Sequence, residues 1–316
     1  MPSVTPLNNP RGADPRARIG EIIAAGERVI VGKTHSLKLA LTCLLAGGHL
    51  LIEDLPGVGK TTLAHLMARV LGLSFQRIQF TSDMLPADVI GVTIYDRDTQ
   101  QFEFHRGPIF SQVILGDEIN RATPRAQSAL LEAMEERQVT VDGVSHRLPH
   151  PFFVIATQNP TYQIGTFPLP ESQLDRFLMR ISLGYPDRDA ERALLTGQDR
   201  RTLLENFPAV IGPEELLEMQ QAVGEIHTSS ALLDYVQALL EFSRTSPEFA
   251  TGLSPRAGLG LVQAARAWAL LSERDSVMPE DVQRVLPAIA GHRLRAADES
   301  QQAHAADLLL QGVPIP

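Results

Sequence analysis

Residues 51–70 read LIEDLPGVGKTTLAHLMARV, and the reading of this stretch decides the fold. It carries Gly-Val-Gly-Lys-Thr at 57–61, the end of a phosphate-binding pattern G-x-x-x-x-G-K-[ST], but Asp54 stands where the first glycine belongs. Such a loop points successive backbone N–H groups at a phosphate in front of a helix N-terminus. The task falls on the residues nearest the phosphate. Gly57 and Gly59 permit positive φ with Val58 between them, Lys60 can reach the β- and γ-phosphates, and the Thr61 hydroxyl suits Mg²⁺. Pro56 and Thr62 complete the candidate nucleotide-binding set. The flanks supply the required context: HLLIED (49–54) is an apolar run of strand length, and TTLAHLMARVLG (61–72) places Leu63, Leu66, Met67, Val70 and Leu71 at helical spacing.

Working outward, strand patterns recur at 74–80, 112–118, 151–158 and 176–183, and helical patterns at 17–30, 35–48 and 121–138, the last with Pro124 near its start. This alternation predicts a parallel sheet covered by helices. Residues 92–106 and 138–148 each split into two strand-like halves around polar turn residues, Asp142-Gly143 being a hairpin signal in the second. Beyond 184–191 the strand signal fades and four amphipathic helical segments follow. The expected organisation is a loose arm over 1–14, an α/β domain over 15–186 with hairpins near 92–106 and 138–148, and a smaller all-α domain over 187–316.

The composition narrows the function classes. A length of 316 residues with 44% hydrophobic and 21% charged content is ordinary for a soluble protein of roughly two domains. The net charge of −9 gives no general attraction to nucleic acid or an anionic membrane. No apolar run approaches the ~20 residues that cross a bilayer. Cys43 is the only cysteine, which excludes an intramolecular disulfide and fits a reducing, cytoplasmic setting. The nine histidines form no ligand cluster with it, so no metal beyond nucleotide-bound Mg²⁺ is expected.

A phosphate loop alone serves many chemistries, so the class must come from a second motif. VILGDEINRA (113–122) is an apolar strand ending in two carboxylates. Asp117 is placed to hold Mg²⁺ through water, and Glu118 to polarise a water attacking the γ-phosphate. The latter favours hydrolysis over binding alone. One strand later FFVIATQNP ends in Asn159, an amide able to orient the same water or touch the γ-phosphate.

With these motifs the chain resembles the AAA+ ATPases and, within them, the MoxR family of the helix-2-insert clade. The resemblance covers nearly the whole chain. It rests on RGPIFSQVILGDEINRATPRAQSALLEAMEERQVTVDG (106–143), NPTYQIGTFPLPESQLDRF (159–177) and GLSPRA (252–257). It implies a P-loop NTPase core with a helical lid, and the start of the loop often departs from the glycine pattern in that family, so Asp54 reads as a family habit. Lys60 and Thr61 would be the Walker A residues, Asp117 and Glu118 the Walker B pair, and Asn159 the sensor 1 residue. Arg176 in LDRF would be an arginine finger reaching a neighbouring subunit's γ-phosphate, with Arg180 and Arg121 as rivals, and Arg256 the sensor 2 residue. Val31 and Gly32 match the region near adenine, and Gln79 is placed to restrain Glu118.

The family further implies ATP and Mg²⁺ as cofactors, a homohexameric ring, and chaperone-like remodelling of partner complexes. The partner typically carries a von Willebrand factor A domain, which this chain lacks, so a separate polypeptide is expected to supply it. The two hairpins match the clade's insert and pre-sensor-1 hairpin, against a plain reading as edge hairpins. Two other functions fit the same motifs: a nucleotide-gated assembly scaffold, and a metal-chelatase-like or DNA-acting motor of the clade.

Overall fold

The computed structural model describes residues 15–159, 166–196, 203–204 and 207–315; the arm expected at 1–14 and part of the 159–177 block lie outside them. Helices α1 (Pro15–Glu27) and α2 (Thr34–Leu45) come first. Gly47 ends α2 at φ 70°, which lets the Gly48 N–H return to the Cys43 carbonyl at 2.9 Å. Then follow β1 (Leu50–Glu53), α3 (Lys60–Val70), β2 (Phe75–Gln79) and α4 (Pro86–Ile90). A hairpin of β3 (Gly91–Asp96) and β4 (Gln101–Arg106) leads to β5 (Val113–Asp117) and α5 (Pro124–Glu136). A second hairpin, β6 (Gln138–Val141) with β7 (Val144–Arg147), precedes β8 (Phe153–Gln158), α6 (Glu171–Leu174) and β9 (Met179–Ile181).

Five strands pair in parallel in the order β2-β5-β8-β1-β9. Their alternation decides which layer each side chain joins. Leu50, Ile52, Val113, Leu115, Phe153 and Ile155 enter the apolar layer shared with α1, α2 and α3. Leu51, Ile114, Val154 and Ala156 enter the opposite layer with α5. Burying one large apolar side chain contributes about 1.5–3 kcal/mol, a sizeable part of a domain's net ~5–15 kcal/mol, so these few strand positions carry much of the core's stability. Cys43 lies in the first layer, fully buried, and burial pushes its thiol pKa up.

Two elements are shorter than the sequence pattern predicts. The strand expected over 176–183 is only Met179–Ile181. Before it, the N–H groups of Arg176 and Phe177 close the turn after α6, and after it those of Leu183 and Gly184 bond a carboxylate instead of a strand. The helix expected from 121 begins at Pro124, because Ile119–Arg121 form a 3₁₀ turn. Both expected hairpins are present, and Asp142 and Gly143 each take positive φ, as a two-residue I′ turn demands. The Phe104 ring stacks on His146 at 4.1 Å and ties one hairpin to the other.

Beyond residue 186 the described residues hold the four predicted helices, Pro213–Glu225, Ser230–Thr245, Pro255–Leu271 and Pro279–Ala290, and two further ones at Arg188–Thr196 and Ala305–Gly312. A ribbon of β10 (Phe249–Thr251) and β11 (Arg295–Ala296) lies among them, its strands too short to leave a periodic signal. The apolar layer continues across residue 186, joining Leu216, Met219 and Leu261 to Leu41 and Leu44. Arg293 pins the same seam: its buried guanidinium donates to Asp175 at 2.6 Å and to the carbonyls of Phe177 and Leu178 at 2.7 and 3.0 Å.

Gly91 opens the first hairpin at φ 102°, and an added Cβ would lie 2.2 Å from the His105 carbonyl oxygen. Gly91→Ala is therefore expected to cost about 1–3 kcal/mol locally. Amide exchange should accelerate through β3 and β4 while β5 and β8 keep their protection; unchanged exchange in the hairpin would refute this.

Candidate nucleotide-binding site

The loop between β1 and α3 has the two conformations that only glycine adopts freely, Gly57 at φ 85° and Gly59 at φ 99°. No atom lies within 4 Å of where either Cβ would be, so backbone conformation and not crowding requires glycine here. Lys60 starts α3 with its side chain turned inward. Its Nζ donates to the Asp54 carbonyl at 2.6 Å and to Asn159 Oδ1 at 3.2 Å. Burial lowers the ammonium pKa, against an opposing pull from Asp54, Asp117 and Glu118.

Asp54 has a definite task. Its Oδ2 accepts from the N–H groups of Leu183 and Gly184 at 2.6 and 2.7 Å and from the Ser182 hydroxyl at 2.9 Å, while Oδ1 accepts from Leu55 N–H at 2.8 Å. The carboxylate thus ties the phosphate loop to the chain leaving β9, a job no glycine could do. Burial pushes its pKa up, but the hydrogen bonds from Gly184, Leu55, Ser182 and Leu183 outweigh it and hold the group below the usual carboxylate range. The same outgoing segment meets the predicted adenine region: a Cβ on Gly32 would lie 2.8 Å from Ala190 Cβ, and Lys33 Nζ donates to the Tyr185 carbonyl.

At the end of β5 the two acids face different partners. Asp117 Oδ1 accepts from the Thr157 hydroxyl at 2.6 Å, and Oδ2 from Arg77 Nη2 and Nε at 2.6 and 3.1 Å. Glu118 sits in the left-handed region at φ 55°, ψ 47°, a conformation that costs a non-glycine residue about 1–3 kcal/mol unless its surroundings hold it. Three side-chain donors do so: Gln79 Nε2 at 3.1 Å and Arg121 Nε at 3.0 Å on Oε2, and Asn159 Nδ2 at 3.0 Å on Oε1. Lys60, Asn159, Glu118, Gln79, Arg77, Asp117 and Thr157 therefore form one connected network at the carboxyl edge of the sheet. The Thr61 hydroxyl and the Asp117 carboxylate are hard oxygen donors of the kind Mg²⁺ takes alongside nucleotide phosphates. Arg77 is the group that such an ion would displace. The Arg77–Asp117 pair is half-exposed on its arginine side and nearly buried on its aspartate side.

Arg176 and Arg256 lie elsewhere. Arg176 donates to the Leu131 carbonyl and Arg256 to Glu135 at 2.6 Å, both on the C-terminal half of α5. They line a cavity of about 390 Å³ with Gly47, His49 and Arg137, at the end of the sheet where β1 begins. The phosphate loop leaves the other end of β1, four residues or roughly 13 Å away. The structure does not bring these two arginines to Lys60. Of the rivals, Arg180 is engaged by Glu53 at 2.8 Å and by the Gly291 carbonyl, and Arg121 by Glu118.

Sequence reasoning missed Arg77 and Thr157. Each stands two residues before a residue it had singled out, Gln79 and Asn159, on the same strand face. That spacing was the available signal.

The geometry is that of a phosphate-binding loop beside an acidic strand end, in a core followed by a lid. The sequence profile of the ATPase family associated with various cellular activities (AAA) matches residues 49–179, and that of the AAA lid domain residues 241–311. An uncharacterized protein, YeaC of Bacillus subtilis, is 44% identical over 90% of this chain and 88% of its own. The chaperone MoxR1 of Mycobacterium tuberculosis is 40% identical over 92% of this chain and 80% of its own. A crystal structure of a candidate ATPase from Cytophaga hutchinsonii superposes with a TM-score of 0.84 at 36% identity, covering 96% of both chains. The chain belongs to the MoxR family of AAA+ ATPases. Among its described residues no helix is long and apolar enough to cross a membrane.

Because the Asp54 pKa is depressed in the folded protein, its tether contributes stability above the unfolded carboxylate pKa of about 4 and loses it as pH falls through the lower folded value. Asp54→Asn should lower unfolding free energy by about 2 kcal/mol at neutral pH. Denaturant melts should show the two proteins converging as pH drops below about 4. A gap that stays constant to the lowest pH would show that charge plays no part.

Proposed function

We propose that this protein hydrolyses ATP at the interfaces of a ring, most simply a homohexamer, and uses the turnover for chaperone-like remodelling of a partner complex. The Gly57–Thr62 backbone and Lys60 would hold the β- and γ-phosphates, and Val31 and Gly32, against the segment leaving β9, would hold the base. Thr61 and Asp117 would hold Mg²⁺, which supplies charge screening at the phosphates when bound. Glu118 polarises the attacking water and Asn159 fixes its position. Arg176, with Arg256 beside it, stabilises transition-state charge on the nucleotide of the neighbouring copy, a contribution of about 10³–10⁵ in rate for an arginine finger.

The observation that supports the shared site is the separation of the two groups in one chain. Lys60, Glu118 and Asn159 stand at one end of the sheet, and Arg176 and Arg256 at the other. If both groups act on one phosphate, they come from different copies. The chaperone reading rests on the name of the Mycobacterium tuberculosis relative. A von Willebrand factor A domain protein is the partner we infer, and the cytoplasm the setting.

Steady-state ATP hydrolysis is to be measured against protein concentration for wild type, Glu118→Gln and Arg176→Ala, with particle size recorded. Turnover per subunit should rise as rings form, and both variants should lose it while still binding ATP. Lys60→Ala and Arg176→Ala, each inactive alone, should recover about a quarter of wild-type activity when co-assembled in equal amounts, the fraction of interfaces that pair an intact loop with an intact finger. No recovery in mixed rings would overturn the finger assignment. Full activity in monomers would overturn the shared site.

A further inference from the structure

The Thr157 side chain is fully buried on β8, between the phosphate-loop strand and the acidic strand. Its hydroxyl donates its one proton to Asp117 Oδ1 at 2.6 Å and accepts the Glu118 N–H at 2.9 Å. One oxygen atom thereby fixes the side chain of the first acid and the backbone of the second. The second contact falls on the peptide that carries Glu118 into its left-handed conformation. In that region the direction of the side chain follows the backbone, so what holds the peptide also aims the carboxylate.

Thr157 is suited to this by its stiffness. A β-branched side chain in a strand has restricted χ1, so the hydroxyl stands where β8 puts it. Asn159, two residues on, stands on the same face and bonds the Glu118 carboxylate. The backbone and the side chain of Glu118 are thus referenced to a single strand buried along its length. We propose that Thr157 is a positioning residue for ATP hydrolysis, clamping the Asp117–Glu118 peptide so that Glu118 points at the attacking water. This rests on the ATPase reading above. Thr157 acts through the two acids, its hydroxyl being engaged by Asp117 Oδ1 and the Glu118 N–H.

The competing explanation is a buried hydroxyl satisfied by nearby polar groups, and two substitutions separate the alternatives. Thr157→Val keeps the shape and removes both hydrogen bonds, whereas Thr157→Ser keeps the hydroxyl and removes a methyl group. On assembled protein, kcat and KM for ATP and the affinity for a non-hydrolysable ATP analogue are measured together with ring size. Thr157→Val should lower kcat about tenfold or more, with KM and analogue affinity within about threefold of wild type. Thr157→Ser should restore most of the loss.

If Thr157→Val yields no folded protein, Thr157→Ala against Thr157→Ser makes the same comparison. Unchanged kcat, a loss explained by analogue affinity or ring size, or a Ser variant as impaired as Val would each overturn the proposal. If assembled wild type turns over no ATP while binding the analogue, the ATPase reading has failed and the role of Thr157 falls with it; active wild type with unaffected Thr157→Val condemns only the latter.

Discussion

Parallel pairing of β5, β8 and β1 is the constraint on which the site depends. Parallel strands all finish at the same edge, so residues far apart in sequence are delivered side by side without any loop having to bend toward another. Lys60 follows β1, Asp117 ends β5 and Asn159 follows β8, and the hydrogen-bonded spacing between neighbouring strands then places Asn159 between the lysine and Glu118. The two-sided apolar burial that holds those strands is therefore also what holds the geometry of the polar edge.

Much of this was legible because it is local. Glycines at a positive-φ turn, a lysine and threonine opening a helix, and an apolar strand ending in Asp117-Glu118 are read within a single element. The neighbour relations were not legible. Nothing in the periodicity of FQRIQ says that it lies against the Asp117 strand, so Arg77 stayed invisible as the partner of that carboxylate. Thr157 was hidden for the same reason: its role appears only when β8 is known to lie between β5 and β1. Arg176 and Arg256 were marked by family resemblance, and the finding that they share a cavity at the far end of the sheet needed the path of α5 back across it.

The acidic edge is self-compensated as it stands. Arg77 sits on Asp117, and Arg121 and Gln79 sit on Glu118, so neither carboxylate faces the loop unpartnered. The arginines of both pairs are about half-exposed.

The Asp54 carboxylate fixes how the chain leaves the sheet on its way to the lid. Three hydrogen bonds join the start of the phosphate loop to residues 182–184, and a fourth, from the Leu55 N–H, holds the carboxylate in place within the loop. Beyond Gly184 the chain stays held to the core, Lys33 Nζ donating to the Tyr185 carbonyl, before it enters the helix Arg188–Thr196. The residue that breaks the expected glycine pattern is thus the one that fastens the phosphate loop to the chain leading out of the sheet toward the far helices.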